Sequence, residues 1–181
     1  MKILVPLAEG FEEIEFGTIV DILRRAGLEV TTAGLREGAI EGAHGVKVIP
    51  DTTLDKVNAG QFDVLVLPGG YPGYVNLGED KRVIGLVLKM YADNKTVAAI
   101  CGAPSVLAKA GILKGKTATI YPSSKDSLTG AQYVDAKVVV DGKVVTSQGP
   151  ATAMEFSLKL VELLAGKNKM VEVSRALLAS K

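Results

Sequence analysis

Short β-rich runs recur along the chain with helical patterns between them, and this alternation constrains the fold more than any other feature. The runs are Ile3-Leu4-Val5, Val30-Thr31-Thr32, Val46-Lys47-Val48-Ile49, Val64-Leu65-Val66-Leu67, Val97-Ala98-Ala99-Ile100 and Ala118-Thr119-Ile120. Several are apolar throughout, as strands covered on both faces must be. Between them Phe16, Ile19, Val20 and Leu23 fall at i, i+3, i+4 and i+7, and Val83, Ile84, Val87, Leu88 and Tyr91 repeat the stripe, so both segments read as amphipathic helices. The first helix should stop at Gly27, just after Arg24 and Arg25, where a glycine cap and positive charge suit the carbonyl-rich end.

Towards the C-terminus, Lys137 to Val140 and Lys143 to Ser147 flank Asp141-Gly142, a dipeptide suited to a two-residue hairpin. Pro150 should open a helix carrying Met154, Leu158 and Val161, with Gly166 past its end, and a Lys-rich helical segment runs to Lys181. Strand–helix alternation with short connections predicts an α/β fold: a mostly parallel sheet, helices on both faces, and a C-terminal hairpin addition. The 181 residues suit one domain spanning 1–181.

Charge and cysteine content narrow the classes of function. Lys and Arg total 21 against 20 Asp and Glu, interspersed, so no basic stripe exists to hold nucleic acid. No apolar run approaches membrane-spanning length. The chain reaches strand-like sequence at Lys2 and acidic residues by Glu9, without a signal-peptide pattern. With a lone cysteine, this predicts a cytoplasmic protein without a disulfide. One histidine and one cysteine make no zinc cluster of the usual spacing, so neither metal nor cofactor is expected. Gly111 to Thr117 is one residue short of a phosphate loop and enters a strand, which argues against nucleotide binding.

In parallel sheets reactive groups collect at the carboxyl ends of strands. There Ile100-Cys101-Gly102-Ala103-Pro104 stops an apolar strand at a cysteine, and a helical stretch, Ser105 to Ala110, follows. A strand–nucleophile–helix elbow exposes the thiol, and the helix amides and dipole should lower its pKa, to about 5.5 in such sites. The bland alternative is a small buried core residue. Leu67-Pro68-Gly69-Gly70-Tyr71-Pro72-Gly73 follows another strand and leaves backbone amides unobstructed, so the amides of Gly70 and Gly102 could form an oxyanion hole. It could equally be a turn needing positive φ.

Glu12 and Glu13 read as a solvated face at a helix start. Glu15, beside the apolar stripe, could tilt toward the cleft, stay protonated and donate a hydrogen bond to sulfur. His44, flanked in Gly42-Ala43-His44-Gly45, reads as a surface residue and is the one possible imidazole partner for the thiol.

With these residues in hand, nearly the whole chain resembles the ThiJ/PfpI superfamily, in the branch of Parkinson disease protein 7 and the YajL-type proteins. The motifs are Gly10 to Glu15, Leu23 to Gly27, Leu67 to Gly70, Ala99 to Pro104 and Thr146 to Pro150, in register and in order. The resemblance implies a flavodoxin-like three-layer sandwich, Cys101 as elbow nucleophile and Glu15 as the protonated acid touching its sulfur. It implies a cofactor-free glyoxalase or deglycase acting on small α-oxoaldehydes or their adducts. The alternatives are an oxidative-stress sensor or chaperone whose cysteine becomes a sulfinic acid and, lower, a PfpI-type peptidase.

Two departures bear on this. Gly102 stands where the peptidase branch has a histidine, so a peptidase would have to borrow His44 from a neighbouring subunit. Tyr121 stands where the Parkinson disease protein 7 branch has a histidine near the thiol. Gly69, Tyr121 and Arg25 are expected to border the substrate pocket. The resemblance also implies a homodimer packed partly through the first helix, and a final helix that lids the same end.

Overall fold

The computed structural model describes residues 1–179. Its main sheet has seven strands: β1 (Lys2–Leu7), β2 (Glu29–Gly34), β3 (Thr52–Thr53), β4 (Val64–Leu67), β5 (Thr96–Ile100), β6 (Val138–Asp141) and β7 (Val144–Ser147), in the order β6-β7-β5-β4-β1-β2-β3. Every neighbouring pair is parallel except β6 with β7, the predicted hairpin, which turns at Gly142 with φ +61°. The helices are α1 (Glu13–Arg25), α2 (Gly73–Glu79), α3 (Lys81–Ala92), α4 (Pro104–Lys109), α5 (Ala153–Ala165) and α6 (Lys167–Ala176).

The strands alternate their side chains between two separate cores. Ile3, Val5, Val64, Val66, Ala98 and Ile100 pack with Phe16, Ile19 and Leu23 of α1 and Phe156 and Leu160 of α5. Leu4, Leu65, Leu67, Val97 and Ala99 pack on the other face with Val83, Val87 and Met90 of α3 and Leu107 of α4. Both faces of the central strands are thus dry, which is why their sequences are continuously apolar. Each fully buried aliphatic side chain contributes about 1.5–3 kcal/mol relative to an exposed one. The result is the flavodoxin-like three-layer architecture the resemblance implies.

Helix α1 is closed at both ends by its own sequence. Glu12 Oε2 accepts from the amide of Glu15 at 2.7 Å. At the far end Gly27, at φ +76°, donates to Arg24 O and Leu28 donates to Leu23 O, the paired bonds of a glycine C-cap.

Several expected elements differ. Val46 to Ile49 does not join the main sheet; only Lys47–Val48 pairs, antiparallel, with Ile40–Glu41. Ala118 to Ile120 is likewise reduced to Thr117–Ala118 against Gln132–Tyr133 in a small parallel ribbon. Neither segment pairs with a strand of the main sheet, so each has too few cross-strand neighbours to extend. In α3 the core stripe is Val83, Val87 and Met90, and Leu88 faces solvent. Pro150–Thr152 forms a 3-10 turn before α5, and α4 starts at Pro104 rather than Ser105. The last two residues of the Lys-rich terminal segment, 180 and 181, lie outside the described residues; α6 itself packs against α5.

Candidate active site

Cys101 immediately follows β5, and its backbone is left-handed at φ +62°. That conformation costs a residue with a Cβ about 1–2 kcal/mol, and the neighbours hold it in place. Cys101 N donates to Ser147 O at 3.0 Å, Tyr121 N donates to Cys101 O at 2.9 Å, and Ala103 N donates to Ile100 O at 3.0 Å. The predicted elbow is therefore present and pinned on three sides.

Beneath the thiol lies Glu15, fully buried on the first turn of α1. Its Oε2 accepts from the amide of Gly69 at 2.8 Å. Its Oε1 is buried without a hydrogen bond of full geometry, although the carboxyl interacts with the Cys101 thiol. Gly69 sits between the two, and Gly70, at φ +93°, folds against the backbone of Gly10, Phe11 and Glu12 so closely that no side chain fits. The glycines are needed here for close approach as well as for positive φ.

Burial pushes the Glu15 carboxyl up to about 7, against the lowering pull of the Gly69 amide and the thiol, with Glu12 adding a smaller upward push. Burial also pushes the Cys101 thiol up, and an ionised Glu15 adds to it, to about 12; the amides of Gly70 and Gly102 pull the other way. The expectation that the following helix lowers the thiol is therefore corrected. Helix α4 has six residues, and desolvation plus a neighbouring carboxylate outweigh its terminus. The two acids are coupled and hold one proton between them near neutrality. The carboxyl is the first of the pair to ionise, and its charge then holds the proton on the thiol, so Glu15 is placed to take that proton when the sulfur reacts.

Cys101 opens into a cavity of about 450 Å³, a size suited to small molecules. Gly70, Gly102 and Tyr121 border it, as does His44, while Gly69 lies behind Cys101 and supports it. Arg25 does not border it: it sits at the far end of α1, ten residues from Glu15 and so about 15 Å along the helix, paired with Asp21 at 2.6 Å. No described residue of α6 borders the cavity either, so the expected lid over this end is not formed by that helix.

Glu12 and Glu13 do not form the solvated face expected from sequence. Glu12 is buried as the cap of α1 and reaches the cavity wall. Glu13 accepts from the amide of His44 at 2.6 Å and contacts its Nδ1 at 2.9 Å. His44 is exposed as expected, yet it stands at the cavity. A carboxylate at a helix start looks the same in sequence whether it faces water or a loop 31 residues away. The glycines around His44 were the available signal, since Gly42 has no room for a side chain over Glu13. Glu12, Glu13 and His44 are also the one donor set among the described residues that could face a cation, their atoms lying within 4.8 Å of one another. Bonds to the α1 amide and within the loop already engage oxygens of both carboxylates.

The chain is similar over nearly its whole length to known proteins. A model of the DJ-1/PfpI family matches residues 1–163. Protein dj-1beta of Drosophila melanogaster is 49% identical over 180 residues, covering 98% of this chain and 96% of the relative. The crystal structure of Drosophila melanogaster DJ-1beta superposes with a TM-score of 0.96 at 47% identity, covering 99% of this chain and 98% of that one. Deglycase PH1704 of Pyrococcus horikoshii is 42% identical over 167 residues, covering 91% of this chain and 99% of the relative.

Proposed function

The chain belongs to the DJ-1/PfpI family, and from that premise we propose that it is a cofactor-independent enzyme of the glyoxalase or deglycase type, with Cys101 as nucleophile and Glu15 as its proton carrier. The observation that carries the reading is the pairing of an accessible sulfur, on a left-handed elbow, with a buried carboxyl whose Oε1 lacks a partner. The similarity to a protein named a deglycase supports it.

The sulfur adds to the aldehyde carbon of an α-oxoaldehyde, forming a C–S bond as the carbonyl electron pair moves to oxygen. The amides of Gly70 and Gly102, which already face the sulfur, stabilise that oxygen. Protonation gives a hemithioacetal. The hydrogen on the aldehyde carbon then moves as a proton, through an enediol, to the neighbouring carbon. The first carbon is oxidised and the second reduced, so no outside electron carrier is needed. Water hydrolyses the resulting thioester to a 2-hydroxy acid and restores the thiol. Glu15 carries the proton between sulfur and substrate.

The test compares lactate formed from methylglyoxal by the parent protein, Cys101→Ala and Glu15→Gln. We expect loss in both variants, and equal production by all three ends the proposal.

The partnerless Oε1 also favours a second reading, in which peroxide oxidises the sulfur. The thiolate attacks one oxygen, the O–O bond breaks and hydroxide leaves; a second peroxide gives the sulfinate, which a protonated Glu15 would hold. Mass spectrometry after mild peroxide should then stop at the sulfinic form in the parent protein and go elsewhere in Glu15→Gln.

A further inference from the structure

Glu15 is fully buried and takes no part in the cavity wall, so another group must handle water and protons that enter from solvent. In that wall, apart from Cys101 itself, Glu12 and His44 are the side chains that ordinarily titrate nearest neutrality. Glu12 is engaged as the cap of α1.

His44 is built into its place. Glu13 Oε1 accepts from the amides of His44, at 2.6 Å, and Val46, at 3.4 Å, while Oε2 contacts the ring Nδ1 at 2.9 Å. The loop closes over that carboxylate because residue 42 is glycine: a Cβ there would stand 2.4 Å from Glu13 Oε1. Ala43 N donates to Phe11 O and Gly42 N to Val46 O, each at 2.8 Å, fixing the loop to the start of α1 and to itself. With Nδ1 on Glu13, the ring keeps Nε2 for chemistry, and a carboxylate behind an imidazole fixes its tautomer and steadies its charged form.

We propose that His44, oriented by Glu13, is the acid–base residue on the solvent side of the Cys101 cavity. The assignment rests on the thioester chemistry proposed above. Water oxygen bonds to the acyl carbon while its proton passes to Nε2; the C–S bond then breaks, and the imidazolium returns the proton to the departing sulfur. Nothing is oxidised or reduced in the step. The charged groups around the ring are Glu13, whose hydrogen bond raises the His44 pKa, and Glu12, whose charge adds to it. Glu41 and Lys47, on the ribbon that carries the loop, pair with each other at 3.4 Å. Cys101, Tyr71, Tyr74 and Tyr121 are the other titratable groups in the wall.

The experiment uses His44→Gln with methylglyoxal. Lactate production should fall on the order of 100-fold, an acyl adduct should accumulate on Cys101 in intact-protein mass spectra, and added imidazole should restore part of the rate. Labelling of Cys101 by iodoacetamide should stay at the parent rate, showing an intact thiol site. In Glu13→Gln the acid limb of the kcat profile should move to lower pH, because the imidazole loses the carboxylate that favours its charged form. Parent-like turnover and pH profile in His44→Gln overturn the assignment, and so does a slow variant with neither adduct nor imidazole rescue. Absence of lactate from the parent protein itself overturns the enzymatic reading beneath it, a failure told apart because no variant is involved.

Discussion

Gly69 lies so close to Cys101 that a Cβ on it would stand 2.5 Å from the cysteine Cβ, and 2.7 Å from Glu15 Oε2 on its other side. The elbow, the glycine and the acid form one packed unit.

Gly69→Ala should destabilise the protein by about 1–3 kcal/mol, because rigid neighbours must move. Gly85→Ala, exposed in α3 with open space around its Cβ, should stabilise by about 0.5–1 kcal/mol. Urea midpoints of the two variants check both signs.

Stability should depend on Glu15 through pH. Its carboxyl is raised from 4.5 to about 7 by burial, so folding favours the protonated form. That contribution is fully present below the unfolded pKa and is lost as pH rises through about 7. The shift corresponds to about 3 kcal/mol. Urea unfolding between about pH 5 and pH 8 should show the parent losing stability relative to Glu15→Gln as pH rises.

The reactivity of Cys101 should carry the signature of a shared proton. In the parent, iodoacetamide labelling should stay slow through neutrality and rise only at alkaline pH, because burial and an ionised Glu15 hold the thiol up. A thiol lowered independently by a helix terminus would already be at its plateau at about pH 6.5. In Glu15→Gln the rise should move to lower pH, because the charge that opposes the thiolate is gone.

Glu13→Ala should release the loop that wraps its carboxylate. Hydrogen exchange at the amides of His44 and Val46, both donors to Glu13, should quicken about tenfold or more as a charge-assisted bond is lost. The amides of β1 should stay protected.

The family resemblance implies a homodimer packed partly through the first helix, and we propose the same for this chain. Ile14 is 60% exposed on α1, and Ile49 is 79% exposed beyond the ribbon. Ile14→Glu should convert a dimer to monomers in light scattering, and a parent protein that is already monomeric contradicts the expectation.

Much of the fold was legible because it rests on short-range patterns. Val64 to Leu67 and Val97 to Ile100 are apolar on both faces, Gly27 ends α1, and Asp141-Gly142 turns a hairpin. The position of Cys101 at a strand end followed from the same local grammar. What the sequence hid depends on distant partners. Whether Val46 to Ile49 extends a sheet depends on neighbours it does not have, and the role of Glu13 depends on a loop far along the chain. The thiol's proton affinity depends on how deeply the elbow sits against Glu15, which no dipeptide encodes. Arg25 does not reach the cavity of its own chain because the apolar stripe of α1 does not say which end of the helix meets a cavity.

The left-handed backbone at residue 101 also acts as a filter on exchange. Valine, isoleucine and threonine crowd their own main chain in that geometry, whereas glycine and asparagine settle into it readily. Point replacements that remove the sulfur without disturbing the turn are therefore drawn from a short menu of small or amide side chains. A glycine there should yield a sturdier molecule than the natural one, so the reactive atom is kept at the expense of a more comfortable main chain.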